Sequence, residues 1–253
     1  MTFQDHFSGQ AKQYANHRPR YPEEIFEYLS SIAPGKELSW DAGTGNGQAA
    51  LELTKHFQRV IATDASADQI ENAFQHERIG YGIEPAEKTS ITSHTVDLVT
   101  VGTAVHWFDF DTFYEEVRRV CKPNAVLAVW VYNLPAIEPE VDKCLDFFTN
   151  NILKPYWPER LRYLFDSYHS LPFPFEEIAP PEFSMETEWS LDDLIGFLSS
   201  WSAVAIYFKA EGVHPVDKIL DELQESWGDP AQKKLVKWPL HFRIGKVQKN
   251  VSE

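Results

Sequence analysis

The chain has 253 residues, 43% of them hydrophobic and 14% aromatic, enough for one substantial core with an attached element and too short for two full-sized domains. A formal net charge of −15 repels a polyphosphate backbone, whose partners bind by displacing counterions with lysine and arginine, so no nucleic-acid partner is expected. The two cysteines, Cys121 and Cys144, form no C-x-x-C pair and suggest neither a disulfide framework nor a metal site, and no apolar run reaches the ~20 residues that span a bilayer. A cytoplasmic protein with no membrane partner is expected.

In chain order, Phe7 to Asn16 reads as a short helix and Pro22 to Ala33 as a second, with the proline near its first turn. From Leu38 to Tyr132 short apolar runs alternate with stretches of helical period, the pattern of successive βα units in a parallel sheet. The runs are Glu37 to Trp40, Arg59 to Thr63, Gly80 to Ile83, Val96 to Val101 and Ala125 to Val131. Gln48 to Phe57, Ala67 to His76 and Asp109 to Cys121 read as amphipathic helices between them. After Pro135 the alternation breaks. Glu138 to Asn151 reads as helix, and a stretch rich in proline and aromatics runs on to Pro181. Phe183 to Trp189 alternates as a strand, Leu191 to Phe208 reads as one largely apolar helix and Val216 to Trp227 as an amphipathic one. Leu235 to Val247 closes as a strand in which Pro239 suits an edge or a bulge. The expected fold is a Rossmann-like α/β domain. It has a mostly parallel seven-stranded sheet, helices on both faces and a mainly helical lid inserted in the C-terminal half. One domain over 1–253 is expected, with a helical cap over about 1–34, a cofactor-binding core over about 35–132, and lid and final strands over about 133–247.

The strongest local signal is Leu38-Ser39-Trp40-Asp41-Ala42-Gly43-Thr44-Gly45-Asn46-Gly47, a strand that enters a glycine-rich turn and then a helix. In open α/β sheets the ligand crevice lies at the carboxyl ends of the strands, where this turn falls. Its spacing is Gly-x-Gly-x-Gly, not the Gly-x-Gly-x-x-Gly of dinucleotide sites. A carboxylate two residues before the first glycine opposes a pyrophosphate but stabilises a cation. S-adenosylmethionine has no phosphate and carries an ammonium and a sulfonium. Asp64 ends the next run, 21 positions after Gly43, where an acid can accept both hydroxyls of an adenosine ribose.

These features, with Pro85-Ala86-Glu87 and the Val96 to Val99 run that leads to His106-Trp107-Phe108, resemble the motif series of class I S-adenosylmethionine-dependent methyltransferases. The opening Phe7-Ser8 to Tyr14 and Arg18 to Pro22 is similar to small-molecule methyltransferases of the trans-aconitate methyltransferase type. The resemblance covers about residues 5–132. It implies that Asp41 and the backbone of Gly43, Thr44, Gly45 and Asn46 meet the methionine part, and Asp64 the ribose. It also implies Ala65 and Gln69 beside the adenosine, Ala86 and Glu87 at the adenine edge, and Thr103 and Ala104 under the methionine, with Tyr14 and Arg18 closing over it.

The expected activity is methyl transfer from S-adenosylmethionine, without a metal, to a small-molecule acceptor, with S-adenosylhomocysteine as product. The acceptor expected is a carboxylate such as trans-aconitate, and Arg18, Arg20, Arg160 and Arg162 are the cations that could pair with it. His106 is the candidate general base, since a near-neutral imidazole can take a proton from a hydroxyl or an amine. Trp107, Tyr132, Trp157 and Trp201 are candidates for an aromatic substrate wall. The expected assembly is a monomer or a homodimer. The rival readings are a nicotinamide-dependent oxidoreductase and a non-catalytic module that binds an adenosyl ligand.

Overall fold

A computed structural model describes residues 19–248; the helix expected over Phe7 to Asn16, and the site residues Tyr14 and Arg18, lie outside them. The first described helix, α1 (Glu23–Ile32), buries Ile25, Phe26 and Leu29 on one side. Then come β1 (Leu38–Ala42), α2 (Gln48–Leu53), β2 (Arg59–Asp64), α3 (Ala67–Glu71), β3 (Ile79–Ile83), β4 (Val96–Gly102), α4 (Phe110–Val120) and β5 (Cys121–Tyr132). The five strands are parallel, in the order β3-β2-β1-β4-β5. The order reverses between β1 and β4, and such a switch point opens a crevice at the carboxyl ends of the strands.

Burial on both faces explains the unbroken apolar runs. Along β5 the side chains of Val126, Ala128, Trp130 and Tyr132 join a core with α1 and α2. Leu127, Val129 and Val131 point the other way, into a core with Val99 and Val101 of β4 and Phe113, Val117 and Val120 of α4. Cys121 and Cys144 are buried free thiols.

The C-terminal half contains α5 (Pro139–Phe147), three short 3-10 or π turns, α6 (Arg162–Phe165), β6 (Glu176–Glu177), β7 (Phe183–Trp189), α7 (Leu191–Ser199), α8 (Ser202–Glu211), a fourth short turn (Pro215–Lys218), α9 (Leu220–Trp227) and β8 (Lys234–Val247). The sheet has eight strands among the described residues, one more than expected, because β8 is long enough to serve several neighbours. Its second half pairs antiparallel with β5. Lys237 exchanges both backbone bonds with Ala136 on that same edge, so β7 and β6 take successive stretches of the opposite edge. Pro239 falls where the pairing on the β5 side stops at Leu240 and resumes at Lys237 one residue out of register. A residue without an N–H costs no ladder bond at such a slip.

The single helix expected from Leu191 to Phe208 is two, α7 and α8, bent by 73°. Trp201 is the cause: its backbone is extended as the N-cap of α8, and its ring packs against Phe148, Trp157 and Phe197. Apolar periodicity continues through the bend, so it left no mark in the sequence. Ser190 starts α7 with a capping box, its hydroxyl and the Asp193 carboxylate satisfying each other's backbone N–H groups.

Candidate functional site

The crevice at the switch point is a cleft of about 690 Å³, within the usual range of small-molecule sites. Its floor is the turn after β1. Gly43 has φ +65°, and a Cβ there would stand 2.7 Å from Ala104 Cβ and 3.0 Å from the Phe108 ring. Both the backbone angle and the close approach of the opposite wall therefore demand glycine.

Asp41, the last residue but one of β1, has 1% of its surface exposed. One carboxylate oxygen accepts from Thr44 Oγ1 at 2.5 Å and the other from Thr100 Oγ1 at 2.8 Å. Burial pushes its pKa up to about 6, against the two threonine bonds, which hold it down. Near neutral pH the site thus holds a desolvated carboxylate that a cation would stabilise strongly. At the end of β2, Asp64 accepts from the backbone N–H groups of Gly45 and Ser66, both at 2.9 Å. These bonds fix the glycine turn against the neighbouring strand end. Each oxygen has further acceptor capacity for ribose hydroxyls.

Opposite, Thr103 follows β4 with φ +55°. Its N–H donates to Trp130 O at 2.8 Å, while its hydroxyl is buried with no hydrogen-bond partner among the described residues. A left-handed threonine with an orphaned hydroxyl on a cleft wall could have its bonding completed by a ligand. Glu87 Oε1 accepts from Asp109 N at 2.8 Å, and Asp109 in turn caps α4.

The cleft brings together Asp41, Gly43, Thr44, Gly45, Asn46, Asp64, Ala65, Gln69, Ala86, Glu87, Thr103 and Ala104, the cofactor-site residues expected within the described part of the chain. Of the aromatic wall it includes Trp107 and Tyr132. Trp157 and Trp201 are elsewhere: their rings pack on each other at 5.7 Å, in a cluster with Phe165, Phe197 and Phe148. The general-base expectation for His106 does not fit its position. Its side chain is not in the lining, it is 1% exposed, and Nδ1 is engaged by Tyr168 Oη at 2.8 Å. Burial, with a smaller contribution from the nearby Arg160 charge, lowers its pKa to about 3.

Tyr21 and Thr112 also line the cleft. Thr112 carries no local sequence signal, its place following from the capping turn of α4, and Tyr21 is legible only inside the motif string before Pro22. Arg160 is the single cation in the described lining, against the carboxylates of Asp41, Asp64, Glu84, Glu87 and Asp109. It lies by Trp107 and Phe108, donating to their carbonyl oxygens at 3.0 and 2.8 Å. Among the described residues no group of three or more His, Cys, Asp or Glu side chains is placed to hold a metal.

Known proteins resemble this chain in sequence and in fold. The methyltransferase domain family matches residues 40–129. A Dictyostelium discoideum protein described as a methyltransferase is 34% identical over 89% of this chain and 87% of its own length. A Saccharomyces cerevisiae protein described as an S-adenosylmethionine-dependent methyltransferase is 24% identical over 85% of this chain and 87% of its own. A solved structure from Anaeromyxobacter dehalogenans, described as a type II methyltransferase, superposes with a TM-score of 0.85 at 38% identity, over 92% of this chain and 99% of that one.

Proposed function

The chain belongs to the class I S-adenosylmethionine-dependent methyltransferases, and on that premise we propose that it methylates an oxygen of a small carboxylate-bearing acceptor such as trans-aconitate. When bound, S-adenosylmethionine supplies a methyl carbon on a cationic sulfur, open to in-line displacement. The buried Asp41 carboxylate, the Asp64 carboxylate and the Thr103 hydroxyl fit its ammonium, ribose and polar methionine atoms by charge and by hydrogen-bonding capacity.

The observation that carries the acceptor reading is Arg160, the one cationic side chain among the described residues of a lining that holds five carboxylates, Asp41, Asp64, Glu84, Glu87 and Asp109. With Nη1 bound to the Trp107 and Phe108 carbonyl oxygens, the guanidinium is held at the lining, where its positive charge favours a carboxylate-bearing acceptor. The neutral, buried state of His106 agrees with it. A carboxylate is already ionised near neutral pH, so its lone pair can form the new O–C bond while the C–S pair returns to sulfur, with no proton to remove. The protein's contribution is then alignment and exclusion of water, which in favourable cases lowers a barrier by about 7–11 kcal/mol. Tyr21, Trp107 and Tyr132 provide the walls for it.

The test is incubation with methyl-labelled donor and a panel of mono-, di- and tricarboxylates. Label released as methanol by mild alkali, with the acceptor KM raised about tenfold or more in Arg160→Gln, supports the reading. Alkali-stable label on an amine or a phenol overturns it.

A further inference from the structure

Two side chains from the segment after β5 reach back to one short turn. Arg160 binds the carbonyl oxygens of Trp107 and Phe108, with a longer contact of 3.4 Å to that of His106. Tyr168, with no exposed surface, sets its hydroxyl 2.8 Å from His106 Nδ1. This one buried hydrogen bond ties the imidazole, and through it the turn, to the Tyr168 ring. This turn, Val105–Trp107, directly continues Thr103 and Ala104, and with Phe108 it makes the cleft wall opposite Gly43.

Holding Tyr168 there requires an unfavourable backbone. Ser167 and Tyr168 are consecutive non-glycine residues with φ +58° and +63°. Such strain persists only where the surroundings over-determine it. Here Asn133 Nδ2 donates to Ser167 Oγ at 2.8 Å, Arg243 of β8 donates to Tyr168 O and Leu171 O at 3.1 Å, and Tyr114 Oη donates to Pro172 O at 2.5 Å. Filling the core with an aromatic ring would not by itself need this.

We infer that Tyr168 and His106 are positioning residues that hold the wall from Thr103 to Phe108 in its donor-binding form, so that donor affinity depends on a strap from the C-terminal half of the chain. Neither side chain lines the cleft; both act through Trp107 and the turn. The inference rests on the donor reading and is independent of the acceptor.

The experiment is calorimetric titration with S-adenosylhomocysteine, well below each protein's unfolding temperature. Tyr168→Phe, which keeps the ring and removes only the hydroxyl, should weaken binding roughly fivefold to tenfold, the worth of one buried hydrogen bond. His106→Leu should do the same, and the double variant should lose little more than either single change. His106→Asn, which keeps an acceptor near the Nδ1 position, should stay within about twofold of the natural chain by the same reasoning. Should His106→Leu fail to fold, the isosteric Tyr168→Phe carries the test alone. Binding by Tyr168→Phe as tight as that of the natural chain, whatever its unfolding temperature, overturns the strap. Failure of the natural chain itself to bind S-adenosylhomocysteine overturns instead the donor reading.

Discussion

Asp41 sets stability against function at one atom pair. Its folded pKa of about 6 lies above the ordinary carboxylate value of 3.8. The folded protein therefore retains this proton in a pH range where the unfolded chain has released it. The sign follows: Asp41 favours the folded state fully below pH 3.8, and that contribution is lost as pH rises through about 6, a difference of about 3 kcal/mol. Asp41→Asn should thus raise stability at pH 7 while weakening donor binding, as thermal unfolding and titration on the same samples would show. In the natural chain the affinity for S-adenosylmethionine should fall as pH drops below about 6, and in Asp41→Asn that dependence should flatten. Asp64→Ala removes the acceptor of the Gly45 and Ser66 N–H groups and with it the acceptor proposed for the ribose. It should cost roughly 1.5–3 kcal/mol of S-adenosylhomocysteine affinity, and unchanged binding would remove Asp64 from the site.

Elements were legible in the sequence wherever one physical signal dominated. Strands β1, β2, β4 and β5 lie inside the sheet and bury most of both faces, so they read as apolar runs, while β3 at the edge is only half-buried; the run from Phe183 to Trp189 matches β7 residue for residue. The helix ends were less legible: α2 stops at Leu53 and α3 at Glu71, short of the expected Phe57 and His76, because the apolar period continues into turns that still pack on the core. Trp201, Phe148 and Trp157 meet only in three dimensions, so no local pattern marked the bend they impose. The same holds for the candidate site. Asp41, the glycine turn and Asp64 sit at fixed spacing in successive βα units and could be found. Arg160 reaches the cleft from over fifty positions away, and only the fold reveals what it holds. Where the local signal is a capping box, a local cost follows. Ser190→Ala should lower stability by about 1 kcal/mol in chemical denaturation, with donor affinity unchanged, since α7 contributes nothing to the cleft lining.

For the molecule as a whole, the buried His106 sets a pH limit. With a folded pKa of about 3 against an ordinary 6.5, its stabilising contribution is complete above pH 6.5. It is lost as pH falls toward 3, at about 1.4 kcal/mol per unit, because only the unfolded chain takes up the proton. His106→Asn should flatten this acid limb of the stability curve, measured by urea unfolding between pH 4 and 7 in about half-unit steps. An unchanged slope would mean that other groups govern acid unfolding.

The β8 ladder bears on how the chain reaches this state. It joins residues roughly a hundred positions apart, Tyr132 and Leu240 the nearest pair, and contacts so distant in sequence are among the slowest to form. Until β8 docks, β5 is an open edge with unsatisfied backbone groups along an apolar strand, the kind of surface on which partly folded chains adhere to one another. The yield of refolding should therefore depend on protein concentration, even though the parallel core can assemble from local units.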